Sequence, residues 1–146
     1  MKREPFQLES SYAYQAYLLA RSLRKDFFAI CKRADLSLFP EQWFSLYFIV
    51  NNPGQSQSEL AALAFEDRPS LSRTLQSMIK KGLVAQRKDE NDRRSTRYVA
   101  TEQGEQIYDS MVQAMKQERK RVYGGLSEQD FADFQRIVKI LRRNMG

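Results

Sequence analysis

Histidine is absent from the 146 residues of this chain, and cysteine occurs only once, at position 31. Without histidine, the common metal-ligand clusters, His-based triads and imidazole general bases cannot be assembled. The chain also lacks a glycine-rich loop of the kind that cradles phosphates, and its acidic residues are scattered. These absences argue against an enzyme, and we expect no metal and no cofactor.

A single cysteine offers no disulfide framework, which fits a reducing, cytoplasmic setting. The N-terminal residues MKREPFQLESS are charged but are not followed by an apolar run, and no stretch reaches transmembrane length. We therefore expect a cytoplasmic protein without a secretion signal and without a membrane span. The length is sufficient for one domain with a modest core.

A short amphipathic helix is predicted in the run DRPSLSRTLQSMIKKG, residues 67–82. Asp67 is a suitable N-cap and Gly82 a suitable C-terminal stop. One face of this helix is apolar, and it carries Leu71, Leu75, Met78 and Ile79. The opposite face is small and polar, and it carries Pro69, Ser70, Arg73, Gln76, Ser77 and Lys80. Such a face lets a helix backbone approach DNA while hydrogen-bonding groups reach the base edges.

A basic β-hairpin is predicted directly after this helix. The runs LVAQRK and TRYVAT have strand composition, and they flank the polar turn DENDRRS. Between Arg68 and Arg97 there are nine Lys or Arg and three acids, a balance of +6, which equals the net charge of the whole chain. A positive charge concentrated in this way indicates a polyanionic partner, although a solvated charged face is the simpler alternative.

The run SQSELAALAFEDRPSLSRTLQSMIKKGLVAQRKDENDRRSTRYVATEQG resembles the winged helix-turn-helix core of the MarR (multiple antibiotic resistance regulator) family of bacterial transcription factors. The resemblance implies a mainly α-helical fold with a small β-hairpin wing. It also implies support of the wing tip by Asp92, a minor-groove contact by Arg94, and major-groove contacts by Ser70, Ser72, Arg73 and Ser77. Ala100 departs from the leucine usual in the family, which bears on packing at the base of the wing. With their neighbours, the expected DNA-binding residues are Arg68, Pro69, Ser70, Ser72, Arg73, Gln76, Ser77, Arg93 and Arg94.

Helices at both ends of the chain are predicted to form a dimerisation region. We expect one MarR-like domain, 1–146, in which residues 10–33 and 102–145 are this region and residues 38–101 are the DNA-binding lobe. The first helix has two apolar stripes, and the helix after Pro40 is apolar nearly all round. The last helix carries a seam with steps of three and four residues, made of Phe131, Phe134, Val138, Leu141 and Met145. Apolar faces of this extent need a partner, which predicts a homodimer.

The resemblance further implies a small aromatic or anionic effector that binds between the dimer helices and the DNA-binding lobe. Tyr12, Trp43 and Tyr47 are candidates for that pocket, although the same aromatic residues can be ordinary core. The predicted function is a repressor that binds a pseudo-palindromic site on double-stranded DNA and is released by the effector. Two alternatives stay open: a winged protein-interaction module without base reading, and a redox-sensing regulator that uses Cys31, whose thiolate only Lys32 and Arg33 would favour.

Overall fold

The computed structural model describes residues 2–64 and 66–146. The helices and strands follow in the order α1 (Tyr12–Arg33), α2 (Pro40–Asn51), β1 (Gln55–Ser56), α3 (Gln57–Ala64), α4 (Arg68–Lys80), β2 (Val84–Lys88), β3 (Thr96–Ala100), α5 (Glu102–Val122) and α6 (Glu128–Met145). This arrangement confirms the predicted fold class, a mainly α-helical winged helix-turn-helix with a small sheet. Within the described residues, no helix is both long and apolar enough to cross a membrane.

The first helix begins two residues later than predicted, after a turn of 3₁₀ helix at Leu8–Ser10. Only the C-terminal part of α1 is buried, where Phe27, Ile30 and Cys31 pack inward. The apolar stripe nearer its start stays exposed, including Leu19 and Leu23. The amphipathic pattern in the sequence therefore identifies the helix correctly, but most of its apolar surface has no cover within one copy of the chain.

The second helix begins at Pro40, as the sequence predicts, and contributes to the core through Leu46 and Ile49, which are fully buried. The sequence shows α2 to be apolar nearly all round, but the structure does not bury every face of it. The side chains of Phe44 and Tyr47 remain 53% and 45% exposed. The composition of α2 is nearly all apolar, but its neighbours cover only one face.

The helices α3 and α4 form the helix-turn-helix. The N-terminus of α3 has a reciprocal cap. The Glu59 amide donates to Ser56 Oγ and the Ser56 amide donates to the Glu59 carboxylate, each at 3.3 Å. The apolar stripe of α4 faces inward, with Leu71, Leu75 and Met78 buried. Burial of such side chains stabilises the fold by about 1.5–3 kcal/mol each, which orients α4 with its polar face outward.

The sheet has three strands in the order β1-β3-β2, whereas the sequence predicts only the two strands of a hairpin. The hairpin is antiparallel, with register from Val84 opposite Ala100 to Lys88 opposite Thr96. The additional strand β1 pairs with β3 through Gln55 opposite Tyr98. A strand of two residues is too short to show an alternating pattern, so periodicity could not reveal it.

The chain divides into two compact units, one up to Ala114 and one from Met115 to Gly146, and the division falls within α5. In the second unit, Ser127 and Asp130 form a capping box at the start of α6, with hydrogen bonds of 2.8 and 3.1 Å. None of the side chains of α6 is buried. In its apolar seam, Phe134, Leu141 and Met145 are exposed, and Phe131 and Val138 are half-buried.

A glycine sets how closely α5 approaches the start of the hairpin. Thr101 connects the start of α5 to the residue before the hairpin. Its hydroxyl donates to the Gly82 carbonyl at 2.6 Å and accepts the Gly104 amide at 3.0 Å. A Cβ atom on Gly104 would overlap with the carbonyl oxygen of Leu83. Gly104 is therefore required by the close contact of two backbones.

We expect Gly104→Ala to destabilise the protein by at least about 2 kcal/mol, although alanine has the higher helix propensity, because the backbone of Leu83 must move to relieve the overlap. Chemical denaturation measures this change in the free energy of unfolding. Gln103→Ala, at the exposed neighbouring position, is the matched control and should be close to neutral. An unchanged midpoint for Gly104→Ala would contradict the close packing.

Candidate nucleic-acid interface

The start of α4 is fixed by Asp67. Its carboxylate accepts the Ser70 amide at 2.8 Å and the Ser70 hydroxyl at 2.9 Å. These two hydrogen bonds lower the pKa of Asp67, with the amide contributing most. Pro69 occupies the first turn, where the missing N–H costs no helical hydrogen bond. The cap therefore holds the N-terminal turn in one orientation.

The outer face of α4 carries most of the predicted DNA-binding residues. Arg68, Pro69, Arg73 and Gln76 are exposed, and Ser70 and Ser72 are half-buried. The Arg73 guanidinium donates to Ser70 Oγ at 3.3 Å, so it lies over the first turn of the helix. This face offers a guanidinium and a carboxamide, the two groups best suited to guanine and adenine edges.

Ser77 does not lie freely on that outer face, which corrects its predicted placement. Its hydroxyl donates to the Thr74 carbonyl at 2.6 Å and accepts the Gln42 side-chain amide at 2.9 Å. Helical spacing placed Ser77 on the polar face, but the position borders α2, and the buried amide of Gln42 requires a partner there. Ser77 therefore connects α4 to α2.

Gln42 is the centre of a polar junction that sequence reasoning did not find. Its carboxamide oxygen accepts the Phe39 amide at 2.9 Å and the Lys81 ammonium at 3.1 Å. Its nitrogen donates to Ser77, and the side chain is buried. Lys81 also donates to the Ser37 carbonyl at 2.9 Å. One buried side chain thus joins the start of α2 to the middle and the end of α4.

The tip of the hairpin is held by two aspartates. Asp92 Oδ1 accepts the Arg94 amide at 3.0 Å, and Asp89 Oδ1 accepts the Asn91 amide at 3.0 Å. These are short-range turns in which a carboxylate satisfies backbone donors. Arg93 and Arg94 are exposed at this tip, and in the described part of the chain neither guanidinium has a carboxylate partner.

Arg97 has a different role from the other basic residues of the hairpin. Its guanidinium lies 3.0 Å from Asp89 Oδ2 and 3.2 Å from Glu59 Oε1, and it reaches the Gly54 carbonyl at 3.4 Å. The sequence count treats Arg97 as part of the basic patch, but two carboxylates neutralise it. Its partners are 8, 38 and 43 residues away, so no local pattern announces them.

The ion pair shifts the pKa values of both Asp89 and Arg97. Hydrogen bonds from the Asn91 amide and from the Arg97 guanidinium lower the pKa of Asp89. The hydrogen bond to Asp89, with the nearby Glu59, raises the pKa of Arg97. Arg97 therefore fastens the hairpin to α3, and the positive charge available to a ligand lies on other residues.

The three residues predicted for an effector pocket are only partly brought together. Trp43 is 9% exposed and stacks on Tyr108, with ring centroids 5.5 Å apart, and Tyr47 lies 6.4 Å from the same ring. Tyr12 is 87% exposed, and no ring contact joins it to this group within the described residues. Tyr108, which the sequence did not single out, is the centre of the cluster.

Cys31 is in an environment that opposes thiolate formation. Its side chain is 3% exposed, and the thiol donates to Met111 Sδ at 3.9 Å. Burial raises the pKa of the Cys31 thiol, and the Leu38 amide and the Lys81 charge offset this only in part. The sequence offers Lys32 and Arg33 as activating cations, whereas the charge that lowers the pKa of Cys31 in the fold is that of Lys81.

Removal of Asp89 should loosen the hairpin tip in a pH-dependent manner. We expect Asp89→Ala to speed hydrogen exchange of the Asn91 amide and to lower the free energy of unfolding at neutral pH. Since folding lowers the pKa of Asp89, its contribution is present above the ordinary value, about pH 4, and is lost as the pH falls through the lowered value.

The difference in unfolding free energy between the native chain and Asp89→Ala should therefore shrink on acidification below about pH 4. Glu90→Ala is the matched control, because Glu90 is the exposed neighbour at the same tip. A difference that stays constant through the acid range would show that the carboxylate charge is unimportant.

Comparison with solved structures shows the same fold in several regulators. The repressor CouR, solved on a 23-mer DNA duplex, has 19% identity and a TM-score of 0.83, with 97% of this chain and 99% of that chain covered. PcaV from Streptomyces coelicolor, solved with its natural ligand, has 16% identity and a TM-score of 0.81, with 99% and 100% covered. MepR from S. aureus, solved with DNA, has 16% identity and a TM-score of 0.80, with 94% and 99% covered.

A family model gives a second comparison, made on the sequence. The MarR family model matches residues 38–95, which include α2, the helix-turn-helix and the hairpin tip. This match coincides with the segment whose capped outer helix and anchored hairpin are described above. Residues 38–95 are therefore similar to the MarR family, and the solved regulators described above share the fold of the chain.

Proposed function

We propose that this protein is a sequence-specific DNA-binding repressor. The observation that carries the proposal is the pairing of a capped helix, whose outer face presents Arg73 and Gln76, with a hairpin tip that presents Arg93 and Arg94 without carboxylate partners among the described residues. Unpaired guanidiniums on a rigid scaffold are the groups that bind phosphates and base edges. The CouR and MepR structures, both solved on DNA, support this reading.

The residues divide into base-reading and backbone-contacting groups. Arg73 and Gln76 would read bases in the major groove, because they project from the middle of α4. Arg94 would enter the flanking minor groove, where narrow A·T tracts concentrate negative potential. Ser70 and Ser72 would lie with Arg73 and Gln76 in the major groove, Arg68 and Arg93 would contact phosphates, and Pro69 would pack against the DNA backbone. Ser77 and Arg97 are excluded, since their polar atoms hold other parts of the protein.

The active form would be a homodimer built from both ends of the chain. Leu19 and Leu23 on α1 are exposed, as are Phe134, Ile137 and Leu141 on α6. Exposed apolar side chains in such numbers on one helix are unusual for a monomer. A two-fold dimer would present two copies of α4 to a pseudo-palindromic site, with half-sites about 10 base pairs apart.

A small effector would relieve repression by favouring a dimer whose two α4 helices no longer match the groove spacing. The structure of PcaV with its natural ligand supports ligand binding on this fold. The group Trp43, Tyr47 and Tyr108 stays a proposed effector contact, without Tyr12. The redox alternative is not favoured, because the Cys31 thiol is buried and its pKa is raised.

DNA binding is tested by comparing arginines with different surroundings. If Arg73 reads a guanine, Arg73→Ala should weaken binding to a selected duplex by about 1–3 kcal/mol and relax specificity at one position of each half-site. Arg94→Ala should weaken binding most on sites with A·T-rich flanks. Arg21→Ala, an exposed arginine on α1, is the control for loss of charge.

Affinity should also fall steeply as salt rises, because phosphate contacts release counterions. Fluorescence anisotropy on selected and random duplexes measures both affinity and specificity. Equal affinity for the two duplexes, unchanged by Arg73→Ala, would support a winged protein-interaction module instead.

The dimer is tested at α6. Phe134→Asp combined with Leu141→Asp should convert the protein to monomer or unfold it, because an unpaired carboxylate in an apolar interface is costly. Light scattering after size exclusion should give twice the chain mass for the native protein and for Gln135→Asp, the matched exposed control. A native monomer that binds the duplex tightly would overturn the dimer.

A further inference from the structure

The side chain of Gln42 is held in one position by α2 itself. Gln42 lies in the first turn of α2, and its carboxamide oxygen accepts the Phe39 amide at 2.9 Å. The side chain is 4% exposed, and α2 is fixed in the core by Leu46 and Ile49, which are fully buried. Close packing leaves a buried side chain little freedom to move. Gln42 is therefore a fixed point on the scaffold against which α4 rests.

Two residues one turn apart bind this carboxamide from the side of α4. Its nitrogen donates to Ser77 Oγ at 2.9 Å, and its oxygen accepts the Lys81 ammonium at 3.1 Å. Lys81 directly follows α4 and keeps a helical backbone conformation, so it lies on the same side of the helix as Ser77. Two contacts on one side of a helix, at two heights, oppose rotation about its axis. Gln42, Ser77 and Lys81 together form the α4 clamp.

The opposite end of α4 is also attached to the scaffold. Gln57, at the start of α3, donates from its side-chain amide to the carbonyl of Arg68 at 3.1 Å, and Arg68 is the first residue of α4. The buried stripe of Leu71, Leu75 and Met78 sets the distance of α4 from the core. Apolar contacts are not directional, so a small rotation changes them little. The freedom that remains is rotation about the helix axis, which the α4 clamp restricts.

This rotation determines which groups the outer face of α4 can reach. Arg73 and Gln76 are exposed on that face, and Gln76 is adjacent to Ser77 of the α4 clamp. A helix with its side chains is about 10–12 Å wide, so a rotation of about 10° moves the ends of its side chains by about 1 Å. Directional contacts tolerate about 0.5 Å of misplacement. A slightly rotated α4 would still meet phosphates, but it would lose its base contacts.

We propose that Gln42 is a specificity-determining positioning residue. Through Ser77 and Lys81 it sets the rotation of α4, and this rotation decides which base edges Arg73 and Gln76 reach. The inference rests on the proposed DNA-binding function. Loss of the α4 clamp lowers the discrimination between sequences more than the affinity for random duplex, because phosphate contacts provide most of the latter.

The α4 clamp is tested by the ratio of the affinities for a selected duplex and a random duplex. Gln42→Met keeps a long buried side chain without the carboxamide. It should lower this ratio at least about fivefold, since one good base contact discriminates by about 5–150-fold. Affinity for random duplex and its salt dependence should be nearly unchanged. Lys81→Met should lower the ratio too, whereas Lys32→Met, at an exposed lysine of α1, should not.

Ser77 variants separate positioning of α4 from direct contact with DNA. Ser77→Ala should lower the ratio, and Ser77→Thr, which keeps a hydroxyl, should retain it. In the double variant Gln42→Met with Ser77→Ala the two losses should not add, because both changes remove the same hydrogen bond. Additive losses would mean that Ser77 acts on DNA independently of Gln42, and they would overturn the inference.

The rotation of α4 is tested without DNA, which keeps this inference separable from the proposed function. Residual dipolar couplings of backbone amides vary periodically along a helix, and the phase of this variation reports its rotation. Gln42→Met should shift the phase along α4 by about 10° or more and leave α2 as in the native chain, because about 10° is the rotation that displaces side-chain ends beyond their tolerance. An unchanged phase would overturn the inference.

The affinity ratio gives the other decisive outcomes. If the native chain discriminates between the duplexes and Gln42→Met discriminates equally well, the role of Gln42 in specificity is overturned. A parallel loss of affinity on both duplexes would reflect loss of folded protein and would overturn it as well. If Gln42→Met does not fold, Lys81→Met and Ser77→Ala, at exposed and half-buried positions, decide the question. Equal affinity of the native chain for both duplexes would overturn the proposed function, and the couplings would still decide whether the α4 clamp sets the rotation.

Discussion

The buried side chain of Gln42 is the contact on which the placement of α4 depends. A carboxamide removed from water must satisfy both its oxygen and its nitrogen, and leaving one unsatisfied costs about 1–3 kcal/mol. Gln42 meets this demand with Phe39 and Lys81 on its oxygen and Ser77 on its nitrogen. Apolar packing alone would hold α4 near α2, but it would allow sliding and rotation. The directional bonds select one setting.

The arginines of the hairpin have two different roles: one holds the fold together, and the others offer positive charge to a binding partner. Arg97 is neutralised by Asp89 and Glu59 and joins the hairpin to α3. Arg93 and Arg94 lie a few residues away at the same hairpin and have no such partner among the described residues. A partly exposed ion pair contributes little to stability, so the main effect of the Arg97 pair is on geometry. It fixes the wing from which the tip arginines project.

Local features of this fold could be predicted from the sequence, and distant pairings could not. The N-cap at Asp67 and the inner stripe of α4 depend on residues three or four positions apart, and both were predicted. Gly104 lies at the end of the run that resembles the MarR family, but its contact with the Leu83 backbone could not be predicted from the sequence. Spacing reports which face a residue occupies and does not report what lies opposite.

The errors have the same physical origin. Ser77 has the small polar side chain of an outward position, yet Gln42, 35 residues earlier, turns its hydroxyl inward. Arg97 adds to a count of positive charge, yet partners 8 and 38 residues away remove it from the patch. In both cases the polar group could either face solvent or form hydrogen bonds within the protein, and composition does not distinguish these two outcomes. Hydrogen bonds to residues distant in the sequence determine which of the two outcomes occurs. They therefore determine which of the basic and hydroxylated residues of a winged helix remain free for a partner and which are part of the scaffold that positions them.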